Sequence, residues 1–167
     1  CIVEDLLIDN EGKLWIATWS EGLLLLHPES GIFRSISLPG EGVNAPYRVK
    51  SLFQDELGFF WIGTWEDGLY MARFEGDSLR NERSYFYEDA DPLTISGNII
   101  YSIHQDNRYN IWIGTPYGLS IIHGPYSSKP HITRVKYAFG KENGLSNNEV
   151  WKIYRVRSGL MWLGTLE

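Results

Sequence analysis

Histidine, cysteine and acidic side chains are the residues of this chain that could bind a metal or catalyse a reaction. The four histidines and the single cysteine, Cys1, are scattered along 167 residues, and no two of them have the short spacing of a metal-binding motif. The sequence therefore predicts no metal site, and no motif in it requires a cofactor.

Acidic residues are dense at Glu66–Asp67, at Glu88–Asp89 and at Asp91. A glycosidase needs two carboxylates at a defined separation across the sugar, which a sequence does not give. Adjacent acids in a loop are more typical of a solvated surface. We therefore predict no catalytic residue, and keep a lyase or a glycosidase as the weaker alternative.

Aromatic side chains close to amides and acids form a second kind of candidate site. This mixture suits sugar rings, which present apolar C–H faces and hydroxyl groups together. The alternative is that the tryptophans cover sheet edges and the asparagines form turns. The candidate ligand-binding residues are Trp19, Glu21, Trp65, Glu66, Asp67, Tyr117, Asn44, Asn98 and Asn147, with Asn148 beside the last.

A four-residue motif that recurs four times defines the elements that must position these side chains. Its tryptophans are 46, 51 and 50 residues apart, a period that fits a unit of four strands. The four copies are Trp15-Ile16-Ala17-Thr18, Trp61-Ile62-Gly63-Thr64, Trp112-Ile113-Gly114-Thr115 and Trp162-Leu163-Gly164-Thr165.

A short apolar segment precedes each motif and predicts the first strand of each unit. These segments are Val3 to Ile8, Val49 to Phe53, Ile100 to Ile103 and Val150 to Tyr154. Between the two strands, Asp-x-x-Gly predicts a tight turn rather than a calcium loop, because one carboxylate falls short of six to eight oxygen ligands. The third unit has Tyr109 in place of the glycine, and we expect Asn110 to adopt the left-handed conformation there.

The second strands are apolar on both faces, as expected of sheets stacked between neighbouring sheets. Third strands are predicted from Gly22, Gly68 and Gly118, and fourth strands over 33–38, 84–87 and 133–139. In an antiparallel unit, the loop between the second and third strands lies at the same end as the segment that enters the first strand. The candidate residues belong to these two segments, so we expect them to lie together at that end. We expect units at 1–43, 44–95, 96–144 and 145–167, the last one partial.

Charge and hydropathy exclude two kinds of partner. A formal net charge of −6 and a pI near 5.2 disfavour contacts with the phosphates of nucleic acid. No run approaches the roughly 18 apolar residues that a membrane helix needs. We therefore expect neither nucleic-acid binding nor a membrane segment.

Segments 6–23 and 52–69 and, less fully, 103–119 follow the extended repeat I-x-x-D-x-x-G-x-L-W-I-G-T-x-x-x-G-L, with departures such as Ala17 in place of the motif glycine. This repeat resembles the two-component regulator propeller repeat. The resemblance implies an all-β, incomplete β-propeller with about three full four-stranded blades and one partial blade, forming a fragment of one propeller domain. It also implies a periplasmic sensor region of a hybrid histidine kinase, whose signal transduction and phosphorelay begin with an oligosaccharide ligand.

The expected function is thus that of a non-catalytic sensor fragment that takes part in carbohydrate sensing. An alternative of another class is a protein-interaction propeller scaffold without an attached kinase. With a partial blade, the open faces of the first and last blades would be apolar, so we also expect self-association through these faces.

Overall fold

The computed structural model describes residues 1–38, 48–139 and 144–166. These residues form fourteen β-strands and no helix, so among them no helix is long and apolar enough to cross a bilayer. The chain divides into two compact units, Cys1–Ser84 and Tyr85–Glu167.

The first unit contains two four-stranded sheets in which each strand pairs with the next along the chain. All three pairings of the first sheet and the first two pairings of the second sheet are antiparallel. The first sheet has β1 (Val3–Ile8), β2 (Leu14–Thr18), β3 (Leu23–His27) and β4 (Ile32–Ile36). The second has β5 (Val49–Gln54), β6 (Phe60–Thr64), β7 (Leu69–Glu75) and β8 (Ser78–Tyr85), whose last residue opens the second unit.

The second unit contains one four-stranded sheet and one two-stranded sheet, both antiparallel. The four-stranded sheet has β9 (Ser102–Gln105), β10 (Ile111–Thr115), β11 (Gly118–His123) and β12 (His131–Val135). The two-stranded sheet has β13 (Val150–Arg155) and β14 (Met161–Thr165). The described residues confirm the predicted all-β fold of three four-stranded blades and one partial blade.

The fourth strands differ most from the predicted spans. β8 begins at Ser78, six residues before the predicted start at Ser84, because a tight turn with Gly76 at a φ of 63° joins it directly to β7. Its sequence SLRNERSY is largely charged and polar, since an outer strand exposes much of its surface. Apolar periodicity therefore could not show where this strand starts.

The aspartate of each turn also binds the tryptophan six residues later. Asp9 Oδ1 accepts hydrogen bonds from the backbone N–H groups of Glu11 and Lys13, at 2.9 and 2.8 Å, and Oδ2 accepts one from Trp15 Nε1 at 2.8 Å. The same aspartate–tryptophan bond joins Asp55 to Trp61 at 2.7 Å and Asp106 to Trp112 at 2.9 Å. The partial blade has Val156 at this position, and its Trp162 is 64% exposed.

The turn of the third blade corrects one expectation. Tyr109, not Asn110, takes the left-handed conformation, with a φ of 62°. Asn110 instead donates its side-chain amide to Asp106 Oδ2 at 2.9 Å. A half-exposed tyrosine thus replaces the turn glycine, at some cost in backbone strain.

The threonine that ends each W-I-G-T motif shapes the loop between the second and third strands. Thr18 Oγ1 donates to the carbonyl of Gly22 at 2.8 Å and accepts the N–H of Glu21 at 2.9 Å. Thr64 does the same with Gly68 and Asp67. Thr115 repeats the arrangement with Gly118 and Tyr117, in a loop that is one residue shorter.

Neighbouring sheets within each unit are joined by hydrogen bonds between their first strands. In the first unit, Asp5 Oδ2 accepts the backbone N–H of Leu52 at 2.8 Å. In the second unit, Ser102 Oγ accepts the N–H of Ile153 at 3.0 Å. These bonds link one blade to the next, so they fix the positions of the two first strands relative to each other within each unit.

Candidate functional site

One end of each sheet brings the second-to-third loop next to the entry of the first strand. Trp19, just after β2, donates its backbone N–H to the carbonyl of Ile2, just before β1, at 3.0 Å. Trp65 makes the same bond to Arg48 at 3.0 Å. We call this end the loop end, and those predicted candidate residues that the structure describes lie on it or beside it.

In the first unit, two of the predicted residues contact each other at the loop end. The ring centroids of Trp19 and Trp65 are 4.9 Å apart with an interplanar angle of 77°. The Arg48 guanidinium lies 4.6 Å from the Trp19 ring centroid, and Lys50 Nζ lies 5.0 Å from the Trp65 ring centroid. Cations therefore already occupy positions over these two rings, which makes the pair a poor open surface for a sugar.

The acidic candidates of the first unit lie in the same loops as the two tryptophans. The side chains of Glu21, Glu66 and Asp67 are exposed. Glu21 and Asp67 contribute backbone N–H groups to the threonine-capped loops, and the Glu21 carboxylate accepts a bond from Ser20 Oγ at 3.2 Å. Their positions fit solvated loop residues that could still reach a ligand.

In the second unit, the loop end carries a stacked aromatic pair. The rings of Tyr101 and Trp151 lie 4.4 Å apart at an interplanar angle of 10°. Burial, together with the nearby Glu149 and Tyr117, raises the pKa of the Tyr101 hydroxyl, which therefore stays a neutral hydrogen-bonding group. Trp151 is 44% exposed, so the pair offers an apolar surface with a hydroxyl beside it.

Tyr117 is a predicted candidate close to this pair. Its side chain is 57% exposed, and its ring packs on Gly97, where a Cβ would lie 2.7 Å from Tyr117 Cδ2. The Tyr117 hydroxyl interacts electrostatically with that of Tyr101. Gly97 thus makes room for an aromatic ring beside the Tyr101–Trp151 stack.

The predicted asparagines have turn-forming roles. Asn98 Oδ1 accepts the backbone N–H of Tyr87, and Asn148 Oδ1 accepts that of Tyr137, each at 2.7 Å and across eleven residues. Asn147 Oδ1 accepts the N–H of Glu149 at 2.9 Å. Asn44 lies outside the described residues. Ligand binding by these amides stays a prediction.

An arginine holds the loop that enters the third blade. Arg134 Nε donates to the carbonyl of Thr94 at 2.6 Å, and its Nη2 donates to the carbonyl of Asp91 at 2.7 Å and to Thr94 Oγ1. The same guanidinium lies 5.2 Å from the ring centroid of Tyr87. The loop therefore has a defined conformation beside Asn98.

Sequence reasoning missed the most open aromatic pair of the loop end. Tyr101 and Trp151 occupy the repeat position that Glu4 and Lys50 occupy in the first unit, where the two charged groups form an ion pair at 2.5 Å. An alignment of the four repeats shows the signal at the residue after the first apolar position, which is Glu4, Lys50, Tyr101 and Trp151 in turn. The predicted aromatic candidates come instead from the loops after the second strand.

Comparison with known proteins agrees with the repeat pattern. Residues 94–117 and 144–167 each match the two component regulator propeller model. No curated protein matches the chain in sequence.

Three solved structures illustrate the fold. The extracellular domain of BT4673 from B. thetaiotaomicron, described as a hybrid two component system, matches with a TM-score of 0.77 and 22% identity over 98% of this chain and 20% of that chain. The extracellular domain of BT3049 from the same organism matches with a TM-score of 0.73 and 21% identity, over 98% of this chain and 22% of that chain. Virginiamycin B lyase from Staphylococcus aureus matches with a TM-score of 0.66 and 13% identity, over 96% of this chain and 48% of that chain.

The chain spans about a fifth of the length of the two sensor domains that it matches. At these identities the likeness shows the fold alone, and it includes both sensor domains and a lyase. The chain thus has the blade fold of a β-propeller, and residues 94–117 and 144–167 match the repeat of the two component regulator propeller family.

Proposed function

We propose that this chain is the ligand-binding part of an extracytoplasmic, periplasmic sensor propeller in a hybrid two-component system, and that its ligand is an oligosaccharide. The propeller repeats and the likeness to the two extracellular sensor domains support the sensor role. The segment itself would recognise the ligand, and the kinase and phosphorelay chemistry would belong to other parts of the protein.

The Tyr101–Trp151 stack is the observation that carries the ligand class. A half-exposed indole supported from behind by a parallel phenol is a rigid apolar surface of the size of a sugar ring. The hydroxyls of Tyr101 and Tyr117 and the carboxylate of Glu149 can exchange hydrogen bonds with sugar hydroxyls beside it. Apolar and polar groups are thus combined as a saccharide requires.

Replacing Trp151 tests this function directly. Calorimetric titration with a panel of defined oligosaccharides should give binding to the wild-type chain, and Trp151→Ala should weaken it about tenfold, since one aromatic contact contributes about 1.5 kcal/mol. Trp162→Ala is the matched control, because this exposed tryptophan lies at the turn end of the same hairpin. It should leave the affinity unchanged.

Other outcomes separate the alternative functions. Equal affinities for both variants would place a saccharide site elsewhere and contradict the role of the stack. No binding by any member of the panel would favour the protein-interaction scaffold. Conversion of a bound oligosaccharide to a shorter product would instead indicate a lyase or a glycosidase.

A further inference from the structure

Two histidines that are eight residues apart in the sequence lie side by side on the third blade. His123 ends β11, His131 begins β12, and the two are directly paired across the antiparallel strands. Their rings are 5.7 Å apart, centroid to centroid, and nearly parallel, with an interplanar angle of 22°. The sequence could not show this pair, because the connection between the strands separates the two residues.

We propose that His123 and His131 together bind a divalent transition-metal ion such as Zn²⁺. Neutral imidazole is a preferred ligand of zinc, copper and nickel, and two imidazoles on adjacent strands can occupy neighbouring positions of one ion. His131 is exposed and His123 is half-buried, so an ion in solution has access to the pair. This site is independent of the proposed saccharide site at the loop end.

A hydrogen bond already orients one of the two rings. His123 Nε2 lies 3.1 Å from Thr133 Oγ1, and Thr133 is two residues after His131 on the same face of β12. When Nε2 carries the proton and donates to this hydroxyl, Nδ1 presents its lone pair to a metal. Metal-binding histidines commonly use such a partner to fix the tautomer and the ring orientation.

Water can reach both histidines to complete the coordination of an ion. His123 lines a cleft of about 400 Å³ together with Asp106, Asn110 and the cationic Arg108. His131 does not line this cleft and is exposed to solvent. Within the described residues, no group of three or more His, Cys, Asp or Glu side chains forms a site. Two imidazoles would therefore supply the protein ligands and water would complete the coordination, which gives an exchangeable ion rather than a structural one.

The first blade contains a matched control. His27 ends β3 as His123 ends β11, but its cross-strand partner is Ile32 instead of a histidine. Calorimetric titration of the full chain with ZnCl₂, in a Cys1→Ser background that removes the free thiol, should give one ion per chain. His131→Gln and His123→Gln should each weaken this binding at least tenfold, whereas His27→Gln should not change it.

A gain of binding tests the geometry itself. Ile32→His creates the same cross-strand pair on the first blade, and the chain should then bind two ions instead of one. A second ion that is lost again in the Ile32→His, His27→Gln double variant would support the proposal. Equal zinc binding by wild type and His131→Gln, no zinc binding by the wild type, or no second ion in Ile32→His would overturn it.

Discussion

At the residue scale, the bond between the turn aspartate and the tryptophan links the turn to the core of its own blade. Asp55 is only 1% exposed and uses both carboxylate oxygens, for the N–H groups of Leu57 and Phe59 and for Trp61 Nε1. Removing this carboxylate leaves three donors without their acceptor in or near a buried site. The turn, the strand and the core tryptophan would be affected together.

Asp55→Ala should therefore lower the free energy of unfolding by about 3 kcal/mol, since an unsatisfied buried donor costs about 1–3 kcal/mol. Urea unfolding followed by tryptophan fluorescence measures the change. Glu66→Ala, which removes an exposed carboxylate in the same unit, should change the free energy of unfolding by less than about 0.5 kcal/mol.

The converse change can be made in the partial blade, where Val156 stands at the position of the turn aspartate. Val156→Asp supplies an acceptor for Trp162 and should raise the free energy of unfolding, measured in the same way. A destabilised Val156→Asp variant would contradict this role of the aspartate.

His104 makes the second unit sensitive to mild acid. Burial lowers the pKa of this imidazole, and the charges of Arg155 and Lys152 on β13 lower it further, although a backbone hydrogen bond with Gln105 opposes them. The Tyr154 ring lies edge-on at 6.4 Å. The folded chain therefore binds this proton less readily than the unfolded chain, whose histidine titrates near pH 6.5.

The sign of this shift gives a pH prediction. The contribution of His104 is fully present above pH 6.5 and is lost as the pH falls through its lower folded value. The urea midpoint should decrease from pH 7.5 to pH 5.5 in the wild type, and less so in His104→Gln. An equal decrease in both chains would show that another group is responsible.

At the element scale, the small residue of the W-I-G-T motif sets how closely one blade approaches the next. A Cβ at Gly114 on β10 would lie 2.4 Å from the backbone carbonyl oxygen of Val150, which begins β13. Backbone cannot move aside as a flexible side chain can. At the same motif position on β14, a Cβ at Gly164 would have Lys152 as its nearest neighbour, at 3.7 Å.

Gly114→Ala should thus destabilise the second unit by about 2–3 kcal/mol through overpacking between the two sheets. Gly164→Ala, the control with the same chemical change at the same motif position, should alter stability by less than about 0.5 kcal/mol. Urea midpoints of the two variants measure the difference. Equal effects would mean that the contact between β10 and β13 does not limit the approach of these sheets.

The sequence predicts the elements better than the contacts between them. The Asp-x-x-Gly turns predict the hairpins because they act within a single hairpin, where spacing and geometry are directly linked, and the tryptophan period predicts how often the blade repeats. The stack of Tyr101 on Trp151 depends on how two sheets pack, and the His123–His131 pair depends on the register of β11 and β12, which the connection between them does not fix. Local residue spacing determines neither the packing of two sheets nor the register of two strands.

At the scale of the whole molecule, the described residues expose many large apolar side chains at the two ends of the blade series. On β1, Leu6 and Ile8 are exposed, Ile8 by 71%. On the hairpin of β13 and β14, Tyr154 and Trp162 are exposed, as is Leu160 in the turn between them. Exposed apolar side chains are unfavourable in water, and apolar surface tends to be covered by association.

The isolated chain should therefore self-associate in a concentration-dependent manner. Sedimentation velocity should show the average mass rising with concentration, and added salt should not reverse this rise, since the surface involved is apolar rather than charged. Ile8→Thr combined with Trp162→Thr should shift the distribution toward monomer, whereas Glu66→Ala should not. A single monomeric species at high concentration would mean that these faces do not associate, and any dimerisation of an intact sensor would then have to use other surfaces.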